Sequence, residues 1–132
     1  MCLYTEQKEA KIAQDDIIAC KVLLVYPDGS LHSPYKQSNT DWKFDKLYIN
    51  SESIEVKEYW GYLEYGKGFY HSYQNELACR NLVNYFKRII DRVKTNFEIR
   101  IYKVIIPKGT EYFTGQRSDI CSRAIIIKDD FT

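Results

Sequence analysis

The sequence holds two histidines, and its four cysteines, Cys2, Cys20, Cys79 and Cys121, include no C-x-x-C pair. Neither His32 nor His71 stands in zinc spacing with them, so the common structural zinc motifs are excluded. No apolar run reaches the length that crosses a bilayer. Met1-Cys2-Leu3 passes at once into polar residues and carries no secretory or lipoprotein signal. The expectation is reduced thiols, no metal, no membrane and a cytoplasmic place. Walker and G-x-G-x-x-G glycine loops, a G-x-S-x-G elbow and a paired-carboxylate motif are all missing. Charge of one sign is also scarce. A formal net charge of +1 excludes a dedicated binder of duplex nucleic acid, which must neutralise many phosphates.

The residues present fit one globular domain over 1–132, large enough to bury a core unaided; hydrophobic residues make up 45% and charged residues 28% of the chain. Twelve tyrosines supply aromatic surface that can stack on a planar ligand. They can equally fill half-buried sheet positions, for which tyrosine is well suited. The segment from Arg80 to Lys108 carries eight Lys/Arg against Asp91 and Glu98. Such a face can meet a small anion or an acidic partner, or be a solvated helix flank.

Residues 1–16 read as a polar N-terminal arm. Ile17–Tyr26, aliphatic and ended by Pro27-Asp28-Gly29, predicts a buried strand. Leu31–Thr40 has loop chemistry, Trp42–Asn50 is a short element of open type, and Ile54–Leu63 predicts a half-exposed antiparallel strand. Leu77, Ala78, Leu82, Tyr85, Phe86, Ile89, Ile90 and Val93 recur at three- and four-residue steps, the pattern of an amphipathic helix. Ser72 is the expected N-cap and Thr95-Asn96 the expected stop. Glu98–Ile106 and Cys121–Ile127 predict two more strands. The fold class is α+β, a mainly antiparallel sheet with one long amphipathic helix packed on it.

Two stretches concentrate polar chemistry. In GFYHSY, Gly68 to Tyr73, a histidine stands beside a hydroxyl where the helix is expected to start, and free amides there can hold an anion. Adjacent residues at such a junction point apart, so a Ser–His nucleophilic unit is not the expectation. In IPKGTEYFTG, Ile106 to Gly115, Lys108 can meet a phosphate and Glu111 can polarise a hydroxyl, with Tyr112 returning to the sheet. The candidate ligand-binding residues are His71, Ser72, Tyr73, Lys108, Glu111, Tyr112 and Lys21, with no catalytic residue and no cofactor.

MCLYT, AKIA, DIIACKVL, SPY followed by Trp42, GFYHSY, YKVIIPKGTEYFTG and CSRAIII together resemble a small protein type of gut Bacteroidetes and their phages, over nearly the whole chain. The order of strand, G-F-x-H-S and I-P-x-G-T is also similar to the layout of ADP-ribosyltransferase-like folds. That second resemblance implies nicotinamide dinucleotide held by Lys21, His71-Ser72 and Glu111. The sequence departs from it: no arginine stands on the first strand, and Ser118-Asp119 replaces an acidic pair before the last strand. The combined expectation is a non-catalytic binder of a small anionic, nucleotide-type ligand, phage-encoded and acting against a defence signal in a bacterial host's cytoplasm. The alternatives are a divergent ADP-ribosyltransferase-like enzyme and an inhibitor that grips a host protein through Tyr and Trp anchors.

Overall fold

The computed structural model describes residues 3–7, 9–34, 42–93 and 96–131, without the side chains of residues 93, 130 and 131. The polar loop beyond Pro34, the helix stop at Thr95, the thiol of Cys2 and the Val93 side chain lie outside the described residues. In chain order the elements are β1 (Leu3–Thr5), β2 (Lys11–Ile12), β3 (Ile17–Val25), β4 (Leu31–His32), β5 (Leu47–Ile49), β6 (Val56–Tyr59), β7 (Tyr62–Tyr65), β8 (Tyr70–Tyr73), α1 (Glu76–Val93), β9 (Glu98–Ile106), β10 (Glu111–Thr114), β11 (Asp119–Ser122) and β12 (Ala124–Phe131). The expected α+β class holds: a mainly antiparallel sheet carries one packed helix.

The main sheet runs β2-β10-β11-β8-β3-β9-β12-β5, with β4 added beside β3. Its axis is the pairing of β3 with β9, from Ile17 opposite Ile106 to Val25 opposite Glu98. Both strands are mostly apolar on both faces, with Lys21, Glu98, Arg100 and Lys103 as the charged exceptions. On the inner face, Ala19 and Leu23 join Tyr102, Val104, Ile106, Ile120, Ile125, Ile127 and Trp42. Three strands separate Ile120 from Ile127 in the sheet order, so the sheet must curve to bring them into one core. On the outer face, Val22 and Ile101 pack on Cys79 and Val83 of α1.

A second sheet, β1-β7-β6, covers the rest of that outer face. Leu3, Tyr65 and Phe69 pack there on Phe113 and Cys121. The expected arm is therefore not polar padding. Leu3 is fully buried in β1, and β2 pairs with β10. The single strand expected over Ile54–Leu63 is a hairpin, because Trp60-Gly61 turns the chain and Gly61 takes a φ of 79° that a side chain disfavours. The strand expected over Cys121–Ile127 breaks at Arg123, whose guanidinium donates to the carbonyls of Glu52 and Gly68.

The helix begins later than the sequence suggests. Ser72 is not its cap but a fully buried residue of β8, opposite Ile120. Asn75 caps α1 instead: its Oδ1 accepts from the Ala78 N–H at 3.0 Å. GFYHSY thus alternates as a strand, with Tyr70 packed on the inner core and Tyr73 on the helix side. The buried stripe of α1 is narrower than its apolar pattern. Cys79 and Val83 are buried and Leu82 and Phe86 half-buried, while Leu77 is 68% exposed and Tyr85 and Ile89 also face solvent. Among the described residues, no helix is long and apolar enough to cross a membrane.

These positions separate in stability. Leu23→Ala is expected to cost about 2–5 kcal/mol, because a fully buried side chain leaves a cavity. Leu77→Ala is expected to stay within about 0.5 kcal/mol. Urea denaturation monitored by far-UV circular dichroism measures both.

Candidate functional site

Two neighbouring groups of side chains carry the polar chemistry, a cleft on the outer face and a buried group whose Lys21 lies on the inner face. The first is an open cleft of about 330 Å³ lined by Tyr4, Tyr62, Gln116, Arg117 and Asp119. Three strands and one turn build it. Tyr4 and Tyr62 alternate with Leu3 and Leu63, which pack inward, so the tyrosines stand on the solvent side of the small sheet. Their rings meet edge to face at 5.7 Å, and Tyr59 stacks on Tyr62 at 5.1 Å. The result is a row of three aromatic rings.

The β10–β11 turn forms the opposite wall. The Gln116 N–H donates to the Tyr4 carbonyl at 3.1 Å, fixing the turn to β1. Asp119 is buried at its foot, and its Oδ1 accepts from the Arg117 N–H at 3.3 Å. A Cβ at Gly115 would fall 2.2 Å from that same oxygen, so only glycine lets the turn close over the carboxylate. Burial raises the Asp119 pKa above the usual carboxylate range, partly offset by the amides and by the Arg117 charge. The Arg117 guanidinium makes no ion pair or hydrogen bond with a described residue. It is an exposed planar cation beside an aromatic row, and its charge acts on the buried acid beneath.

The second group lies one step deeper. Tyr73 pairs with Asp119 on one side and with Cys20 on the other. His71 is two residues along the same face, and its Nε2 donates to the Gly66 carbonyl at 3.1 Å. That bond leaves Nδ1 as a bare acceptor, buried and unpartnered. Burial holds the imidazole down to about 4, so the ring is neutral at pH 7. Lys21 follows Cys20 where β3 and β8 part. Its ammonium donates to the His71 carbonyl and sits 5.4 Å above the Trp42 ring. No described carboxylate pairs with it, and withdrawal from water lowers it to about 8.

Of the residues expected from the sequence, Lys21, His71, Ser72 and Tyr73 are brought together. Ser72 and His71 nevertheless project to opposite faces, opposite Ile120 and Cys121 of different core clusters. The Ser72 Oγ has no hydrogen-bond partner, so a Ser–His nucleophilic pair is absent from this strand. Tyr112 is half-buried against the main core. Lys108 and Glu111 remain exposed at the β9–β10 turn, where the Lys108 N–H donates to Asp16 and Glu111 lies opposite Ile12. They do not line the cleft. The cleft residues Tyr4, Tyr62, Gln116 and Arg117 escaped the sequence reading. Their one local signal was Gln-Arg-Ser-Asp inside a tight hairpin, an unusual density of charge for a turn that must pack on a strand.

Cys20, Cys79 and Cys121 are free thiols, and burial raises the pKa of each, that of Cys121 to about 12. None is activated as a nucleophile. Among the described residues, no group of three His, Cys, Asp or Glu could hold a metal ion. Compared with protein-family models, curated proteins and solved structures, the chain shows no match.

Both buried bases make stability depend on pH in the same sense. The fold favours neutral His71 and neutral Lys21. Their stabilising contribution is complete above the unfolded pKa values, 6.5 and 10.5, and is lost as pH falls toward about 4 and about 8. Stability is therefore expected to fall between pH 6.5 and 4, and His71→Gln to shrink that fall. Asp119 acts oppositely on protonation, so the comparison is wild type against variant. Lys21→Met is expected to raise stability at pH 7, since a buried unpaired cation is replaced by an apolar chain of similar length. Denaturant titrations at each pH measure these differences.

Proposed function

We propose that the protein binds a small anionic ligand with a planar ring, of nucleotide type, in the Tyr4–Tyr62–Arg117–Asp119 cleft, and releases it unchanged. The observation that carries this is the exposed Arg117 guanidinium, which has no hydrogen bond or ion pair among the described residues and stands against an aromatic row. A flat ring gains by stacking on tyrosine, and a phosphate gains a charge-assisted, two-pronged contact from arginine. The buried Asp119 carboxyl supplies acceptors for an amino edge or a sugar hydroxyl. The cleft volume lies at the small end of ligand sites, which suits a single nucleotide.

Binding fits the chemistry better than turnover. His71 is neutral and held by a backbone carbonyl, Ser72 faces the other way, and the described thiols are raised in pKa. The ADP-ribosyltransferase-like alternative needs Lys21, His71-Ser72 and Glu111 around one ligand, yet Glu111 is exposed on β10. A cytoplasmic role in a phage-infected bacterium, binding a host nucleotide signal, is the setting in which such a binder would act.

Calorimetry with adenosine and guanosine monophosphates tests the proposal. Wild type is expected to bind, with affinity falling as salt rises. Arg117→Ala is expected to weaken binding by about 10- to 100-fold, the worth of a charged hydrogen bond. Lys108→Ala is expected to leave it unchanged. No binding, or full affinity in Arg117→Ala, overturns it.

A further inference from the structure

The β6 strand is an unprotected sheet edge. Among the described residues it pairs with β7 alone, and all four of its residues are exposed. The two-residue turn Trp60-Gly61 is closed by Tyr59 opposite Tyr62. In such a hairpin the closing pair exchanges backbone hydrogen bonds, so residues 57 and 59 turn theirs toward β7. Residues 56 and 58 then present N–H and C=O groups outward. The Glu55 N–H continues the inward set by donating to the Lys67 carbonyl at 3.2 Å. Such a row of outward backbone donors and acceptors matches the hydrogen-bonding edge of an extended polypeptide, which would replace water there. Flanking it are Val56, 41% exposed, and Trp60, 99% exposed.

The charges on this edge point to a second copy of the same chain. Two copies joined antiparallel about an axis normal to the sheet keep each residue on its own face, so only residues of equal parity stand opposite one another. Centring the pair on residue 55, 57 or 58 sets Glu55, Lys57 or Glu58 against its own copy. Centring on Val56 sets Glu55 against Lys57 of the second copy, and Lys57 against its Glu55. Opposite charges then face each other twice, and Val56 meets Val56 through outward-facing backbone groups. Among the described residues, neither Glu55 nor Lys57 has an ion pair that this contact would break. We propose that β6 joins two copies of the chain into a two-fold dimer in the Val56-centred register, extending the three-stranded sheet to six strands.

Sedimentation equilibrium on the full chain tests this. Wild type is expected to show a reversible monomer–dimer equilibrium. Glu55→Lys and Lys57→Glu, both at exposed positions, are each expected to weaken association by about ten-fold, because two cross-strand attractions become repulsions. An equal mixture of the two variants is expected to regain wild-type association, since every Lys then faces a Glu. Lys57 also lies opposite Glu64 on β7, so the mixture and Glu55→Lys weigh more than Lys57→Glu alone. A wild type that stays monomeric to about 1 mM, the weak limit of specific association, overturns the proposal. So does a mixture that associates no better than its components.

Discussion

The ladder between β3 and β9 is the constraint on which the other elements depend. Along it most residues serve one of two cores, since the curved interior lies on one side and α1 on the other. A one-residue slip would exchange Ala19 and Leu23 for Cys20 and Val22, and both cores would lose their packing together. That double demand explains why the two strands are apolar almost throughout. It also explains how Lys21 comes to be taken from water: it occupies an inner-face position at the one place where β3 leaves its other neighbour, β8. The cation there is eased by a carbonyl and an indole ring, not by an acid.

The outer face of the main sheet is shared between two covers, the helix over β3 and β9 and the small sheet over β8, β10 and β11. Neither cover is wide enough to hide the β10–β11 turn completely. The cleft forms where that turn meets the solvent side of β1 and β7, and Tyr73 links its buried acid to the His71 and Lys21 group beneath. Rigid strands on three sides position the tyrosines, while the turn is fixed by the Gln116 bond and by the absence of a side chain at Gly115. These contacts hold the side chains of the cleft in one arrangement. Burial keeps His71 neutral at pH 7, and Ser72 faces the other core.

Sequence periodicity revealed β3, β9 and the helix because their patterns are set by local burial on long elements. Cys79 and Val83 could not be told from Leu77 and Tyr85 in the same way. All lie on apolar turns of one helix, and only the tertiary contact decides which of them the sheet covers. Ser72 misled for a related reason: serine is a good cap, but Asn75 is nearer the helix and Ser72 is needed by the β8–β11 ladder. A strand and a polar corner pointed the sequence reading to Lys21, His71 and Tyr73, none of which lines the cleft. Tyr4, Tyr62 and Arg117 come from three distant segments, and nothing local to any of them records that β1 pairs with β7 beside the β10–β11 turn.

Nuclear magnetic resonance titration of isotope-labelled protein with adenosine monophosphate locates a ligand directly by the amides it perturbs. Binding in the cleft predicts the largest shifts at Tyr4, Tyr62 and the 115–119 turn, smaller ones at Tyr73, and none at Lys108 or Glu111. Shifts centred on Lys108 and Glu111 would contradict it, as would a spectrum that does not change at millimolar nucleotide.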